Sequence, residues 1–109
     1  MSKQTEILCE IVEERGRQDM IWGEQNHPIK PSGHEFTRKF EALEREAKDS
    51  YELAEPTGNL TWYDIAWEEF CEVFAATDPK RQREELLQLT AVNLAMIEYL
   101  DRRYPRKDE

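Results

Sequence analysis

Residues 60–79 read L-T-W-Y-D-I-A-W-E-E-F-C-E-V-F-A-A-T-D-P. The stretch carries the start and end of one helix and the start of the next. Thr61 is a helix N-cap residue, and Asp64, three positions on, stands where a capping box takes Glu or Gln; Leu60 is placed to staple onto Ile65. A helix is predicted over about 61–76. Asp78-Pro79 repeats the signal, an N-cap followed by proline at the first helical position. A connection this short makes the two helices antiparallel neighbours.

Working outward, the helix that begins at Pro79 is predicted to run to about 103. It ends on Arg102-Arg103, cations suited to a helix C-terminus, with Pro105 beyond. From Leu86 to Leu100 its apolar side chains point almost all round, so it is expected to be central and buried on several sides. Upstream, Phe36, Phe40, Leu43, Ala47, Tyr51 and Ala54 fall on one stripe of a helix over about 35–54. At the N-terminus a helix over about 5–20 carries Ile7, Leu8, Ile11 and Val12 on one stripe. Arg15, Gln18 and Trp22 prolong that stripe with polar groups. Residues 23–34, G-E-Q-N-H-P-I-K-P-S-G-H, are rich in Pro and Gly and read as a loop.

No strand-like alternation persists anywhere. The expectation is an all-α fold, one four-helix domain spanning 1–109 with antiparallel helix pairs. The charged fraction, 36%, nearly equals the apolar fraction, 39%, so the core is small and oligomerisation is expected to complete it. A net charge of −9 repels nucleic acid and anionic membranes. No apolar run reaches the ~18 residues of a membrane span, and M-S-K-Q-T-E lacks a signal-peptide core. Cys9 and Cys71 read as reduced thiols, and a cytoplasmic location is expected.

The acids of 67–74 then need a reason. On a helical wheel Glu69 falls in the middle of the apolar arc formed by Trp62, Ile65, Ala66, Val73 and Ala76; Glu72 and Glu68 lie along its edge. On the following helix Glu85 is bracketed by Val92 and Met96, Gln88 lies between Ala95 and Tyr99, and Asn93 lies between Leu86 and Leu100. Two facing helices thus aim carboxylates into the core. An unpaired buried carboxylate costs several kcal/mol, and no Lys or Arg lies on the inner face of the 61–76 helix. A shared divalent ion solves the problem. All-oxygen ligation favours Mg²⁺ or Mn²⁺ over zinc. Letters alone do not carry this. Glutamate fills 18 of 109 positions, so E-E-x-x-E arises by chance about once in two such chains. The weight comes from wheel position and from the near-copy R-E-E-L-L-Q-L at 83–89.

E-E-x-x-E on one helix followed by an acid pair on the next resembles the MazG-like all-α nucleoside triphosphate pyrophosphohydrolases. R-G-R-Q-D-M-I-W-G-E-Q-N-H-P (15–28), G-N-L-T-W (58–62) and R-E-E-L-L-Q-L-T-A-V (83–92) are similar to a short subgroup of that family associated with actinobacteria and their phages. The similarity covers most of the chain apart from the 30s to mid-50s. It implies Mg²⁺-dependent cleavage of a nucleoside triphosphate between its α and β phosphates, and assembly as homodimers or homotetramers with sites near subunit interfaces. By position, Glu68, Glu69 and Glu72 match E-E-x-x-E, and Glu85 matches the first acid of the family's E-x-x-D. Gln88 departs from the pattern, standing where the Asp belongs. Its carbonyl oxygen can ligate a metal, but it carries no negative charge and cannot act as a base; Glu84 or Asp64 is a possible substitute.

The resulting expectation is a metal held by Glu69, Glu72, Glu85 and Gln88, with Glu68 at the rim orienting or deprotonating water. Arg38, Lys39 and Lys48 are candidates for the outgoing pyrophosphate, and Gln18, Asp19, Trp22 and Asn93 for substrate contacts. Blander readings accompany each. Glu68 and Glu72 on a solvated face, or Glu69 or Glu85 paired with Arg15, need no ligand. Gln18, Asp19 and Trp22 then merely close a helix end, and Asn93 is a core hydrogen-bonding residue. His27 and His34 are too few for a zinc site, and the basic tail, Arg102-Arg103 and Arg106-Lys107, reads as a solvated helix end. Two further functions compete with the hydrolase: a nucleotide-binding relative impaired by Gln88, and a helical interaction module with no nucleotide ligand.

Overall fold

The structure is a computed structural model and describes residues 1–106; Lys107 of the basic tail lies outside the described residues. Four helices account for most of it: α1 (Lys3–Trp22), α2 (His34–Ala54), α3 (Trp62–Ala75) and α4 (Pro79–Arg103). A single 3₁₀ turn, Glu55–Thr57, follows α2, and no strand occurs among the described residues. The expected all-α class and the four helices are present. Their ends lie within two residues of the sequence reading, those of α4 coinciding with it, and α2 is unbroken.

Local chemistry sets the boundaries. Thr61 and Asp64 form the reciprocal capping box of α3: Asp64 N–H donates to Thr61 Oγ1 at 3.3 Å and Thr61 N–H donates to Asp64 Oδ2 at 2.9 Å. Asp78 caps α4 by accepting from Arg81 N–H at 2.9 Å. Gly23 closes α1 at φ 65°, donating to the Asp19 carbonyl. Gly58 ends the turn after α2 at φ 73°. Both are left-handed positions where glycine carries no Cβ penalty.

The chain divides into two compact units. The first comprises Met1–Pro28 and α4 from Leu94 onward. In it Ile7 is buried, and polar contacts join α1 to the end of α4: Lys3 pairs with Asp101 at 3.3 Å and Arg106 with Glu10 at 3.3 Å. The second unit, Ile29–Asn93, holds α2, α3 and the first half of α4. Phe36 meets Phe74, and Phe40 meets Phe70 and Phe74, with centroids 5.5–6.2 Å apart. That order makes α2 and α3 antiparallel. The predicted α2 stripe faces this packing: Ala47 is buried and Phe36, Phe40, Leu43, Tyr51 and Ala54 are half-buried.

Two expectations are corrected. α4 is not buried on several sides: Glu85 is its buried residue, while Leu86, Leu87 and Leu100 are exposed. A helix apolar all round needs neighbours all round, and one chain of this size does not supply them. The polar end of α1 is not on a buried side either. Arg15 is exposed and bonds within its own helix, to Gln18 Oε1 at 2.6 Å and Asp19 Oδ1 at 2.8 Å.

Candidate metal centre

Glu69 and Glu72 sit one turn apart on α3, and Glu85 lies in the second turn of α4. One carboxylate oxygen from each comes within 4.8 Å of the other two. The caps at Thr61 and Asp78 fix where each helix starts, and therefore the register that brings these turns opposite one another. Lys30 fixes the far end of α3. Its ammonium donates to the Phe74 carbonyl at 3.0 Å, the Ala76 carbonyl at 2.7 Å and Thr37 Oγ1 at 2.8 Å. It thereby satisfies the last carbonyls of α3, places a positive charge at the negative end of the helix dipole, and ties the chain at residue 30 to α3.

The trio is electrostatically strained. Burial raises the pKa of Glu69, and the charges of Glu85 and Glu68 raise it further. Glu72 is pushed up to about 8, by burial first, then by its hydrogen bond with Glu85 and the neighbouring carboxylates. Two buried oxygens, Glu69 Oε2 and Glu85 Oε2, have no hydrogen-bond partner. Hard-cation chemistry fits such a set: oxygen donors only, converging from two helices, with unsatisfied lone pairs. Next to it, Cys71 is fully buried and its thiol is raised to about 11, by burial and then by Glu44 and Glu72. It is an inert core residue.

Among the described residues Glu85 has one cationic partner. Arg81, one turn earlier on α4, places Nε 2.7 Å from Glu85 Oε1; the arginine side chain is 63% exposed and the glutamate 2%. The ion pair anticipated for a core glutamate thus exists, but with Arg81 rather than Arg15. Arg81 and Glu85 line a small cleft of about 160 Å³ together with Glu72 and two α2 acids, Glu41 and Glu44. A second cleft, about 470 Å³, is apolar and lined by Tyr63, Ala66, Trp67, Phe70, Leu89 and Asn93. Trp67 stacks between Tyr63 and Phe70. The two clefts share no lining residue.

The other predicted site residues are placed as follows. Glu68 is half-buried on α3, and its charge acts on both Glu69 and Glu72. Gln88 is exposed and lines neither cleft; the same holds for Glu84, Arg38, Lys39 and Lys48. Asp64 is committed to the α3 cap, whose Thr61 hydrogen bonds lower its pKa. Asn93 lies in the aromatic cleft, apart from the acidic one. Gln18, Asp19 and Trp22 occupy the last turns of α1, in the first unit, with Gln18 and Asp19 held by Arg15. The sequence reading missed Glu41, Glu44, Arg81 and Lys30. The i,i+4 spacing of Arg81 and Glu85 was a readable signal; the α2 acids and Lys30 are brought in by tertiary packing alone.

Among the described residues no helix is long and apolar enough to cross a membrane. The chain matches no protein-family model, no curated protein and no solved structure.

Proposed function

We propose that this chain is a divalent-cation-dependent nucleotide pyrophosphohydrolase of the MazG-like kind, hydrolysing a nucleoside triphosphate to a monophosphate and pyrophosphate. The supporting observation is the convergence of Glu69, Glu72 and Glu85 within 4.8 Å, with two buried oxygens lacking partners. These three would hold Mg²⁺ or Mn²⁺. Bound there, the ion would supply neutralisation of triphosphate charge and polarisation of the scissile phosphoryl group. Glu68, at the edge of the cluster, accepts the proton of the attacking water as the bond between the α and β phosphates breaks. Gln88, being exposed, is left out of the ligand set in this reading. Gln18, Asp19 and Trp22 belong to the first unit, and no role at the cluster is assigned to them in this reading. Assembly as a homodimer or homotetramer is part of the proposal, supported by the apolar residues that α1 and α4 leave exposed.

A second reading is favoured by the Arg81–Glu85 pair: a helical interaction module whose core acid is met by an arginine and needs no metal. Pyrophosphate release from a panel of nucleotides with Mg²⁺ tests the first reading. Release by the wild type and its loss in Glu69→Gln are expected. Equal rates in the two proteins, or none in the wild type on any nucleotide, would sink it.

A further inference from the structure

We propose that Arg81 is the pyrophosphate-binding residue of this site, held on Glu85 while the carboxylates are free of divalent ion and released to the phosphates when the ion takes Glu85. The proposal rests on the pyrophosphohydrolase reading above and goes beyond it by naming the residue that receives the leaving group. It stands on four observations. The guanidinium reaches the buried carboxylate at 2.7 Å, yet its own side chain is largely in water, so turning away costs it little desolvation. The other oxygen of Glu85 is buried without a partner, so this carboxylate is only half satisfied by arginine and keeps a donor position for an ion. Among the described residues, Arg81 is the one cation that lines the acidic cleft. Finally, its backbone is anchored by the Asp78 cap, which leaves only side-chain torsions to change.

Electrostatics gives the direction of the switch. With a divalent ion bound among Glu69, Glu72 and Glu85, the charge that attracts Arg81 would be neutralised and the guanidinium repelled at short range. A triphosphate arriving at the same cleft carries oxygens that match the planar guanidinium fork, which binds phosphate in a bidentate manner. Glu41 and Glu44, on the α2 side of the cleft, disfavour the phosphates there and steer them towards the Arg81 side. Arg38, Lys39 and Lys48, the cations that the sequence offers for this role, line neither cleft.

The test uses binding rather than turnover. The full chain and the variants Arg81→Gln and Arg81→Lys are titrated calorimetrically with Mg²⁺ alone, then with inorganic pyrophosphate at saturating Mg²⁺. Glutamine keeps a hydrogen-bond donor towards Glu85 and so protects folding, which circular dichroism checks. Arg81→Gln is expected to bind Mg²⁺ several-fold more tightly, because an internal competitor is gone, and pyrophosphate about tenfold more weakly. Arg81→Lys, which keeps the charge but loses the fork, is expected to fall between the two in pyrophosphate affinity. Unchanged or weaker Mg²⁺ binding in Arg81→Gln, or unchanged pyrophosphate binding, would overturn the proposal while leaving the metal site standing. A wild type that takes up no Mg²⁺ would overturn both.

Discussion

Glu72 is the residue at which the chemistry of the site is most exposed to measurement. Its pKa, about 8 in the folded chain, lies well above the ordinary glutamate value near 4.3. The folded state therefore keeps a proton that the unfolded state gives up. The stability this contributes is fully present at pH below about 4.5 and is lost as pH rises towards 8. Without divalent ions the midpoint of urea unfolding is expected to fall between pH 5 and 8, and Glu72→Gln, which imitates the protonated form, to flatten that slope. A wild-type slope identical to that of Glu72→Gln would assign the pH dependence elsewhere. Ion binding must expel the same proton, so Mg²⁺ affinity is expected to rise over the same interval. At this scale the sequence was informative about Glu69 and Glu85, because their wheel positions conflict with their charge. It was less so about Arg81, which meets Glu85 from one turn upstream on the same helix, where the wheel conflict between charge and position points to no particular partner.

At the scale of elements, the helices were legible because their ends are written in local chemistry. Thr61 with Asp64, and Asp78 with Pro79, specify two starts by hydrogen bonds that span three residues. The apolar stripes of α2 and α3 carry over, whereas that of α1 and the all-round apolar surface of α4 do so only in part, because periodicity says which side chains want burial, not which ones find a neighbour. The 23–34 segment shows the limit most plainly. Its prolines and glycines announce a loop, but nothing local reveals that Lys30 seals the carboxyl end of α3 through Phe74 and Ala76. Lys30→Met strips these carbonyls of a charged donor. It is expected to destabilise the chain by about 2 kcal/mol and to lower Mg²⁺ affinity by loosening the end of α3 behind Glu72. Thermal unfolding with and without Mg²⁺ checks both effects. A variant as stable as the wild type would mean that the loop does not support the site.

For the whole molecule, the question is what covers its apolar side chains. Val12 on α1 is 69% exposed and Leu87 on α4 is 55% exposed, and each has further exposed apolar neighbours on its own helix. Composition anticipated this shortage of core, since nearly as many residues are charged as apolar. The pattern did not say which helices would be left uncovered, because that depends on how far one chain can wrap its own α4. Light scattering is expected to return a mass two or four times 13.0 kDa, and Leu87→Glu or Val12→Glu to reduce it. A wild type that stays at 13.0 kDa at high concentration would remove the oligomer from the account. None of this bears on chemistry unless the acidic cluster holds an ion. That is decided most directly by titrating the metal-stripped chain with Mn²⁺ and following the paramagnetic signal of free ion. About one tightly held ion per chain in the wild type, and its loss in Glu69→Gln and Glu85→Gln, is the predicted result. Equal uptake by all three proteins, or none by the wild type, would contradict it.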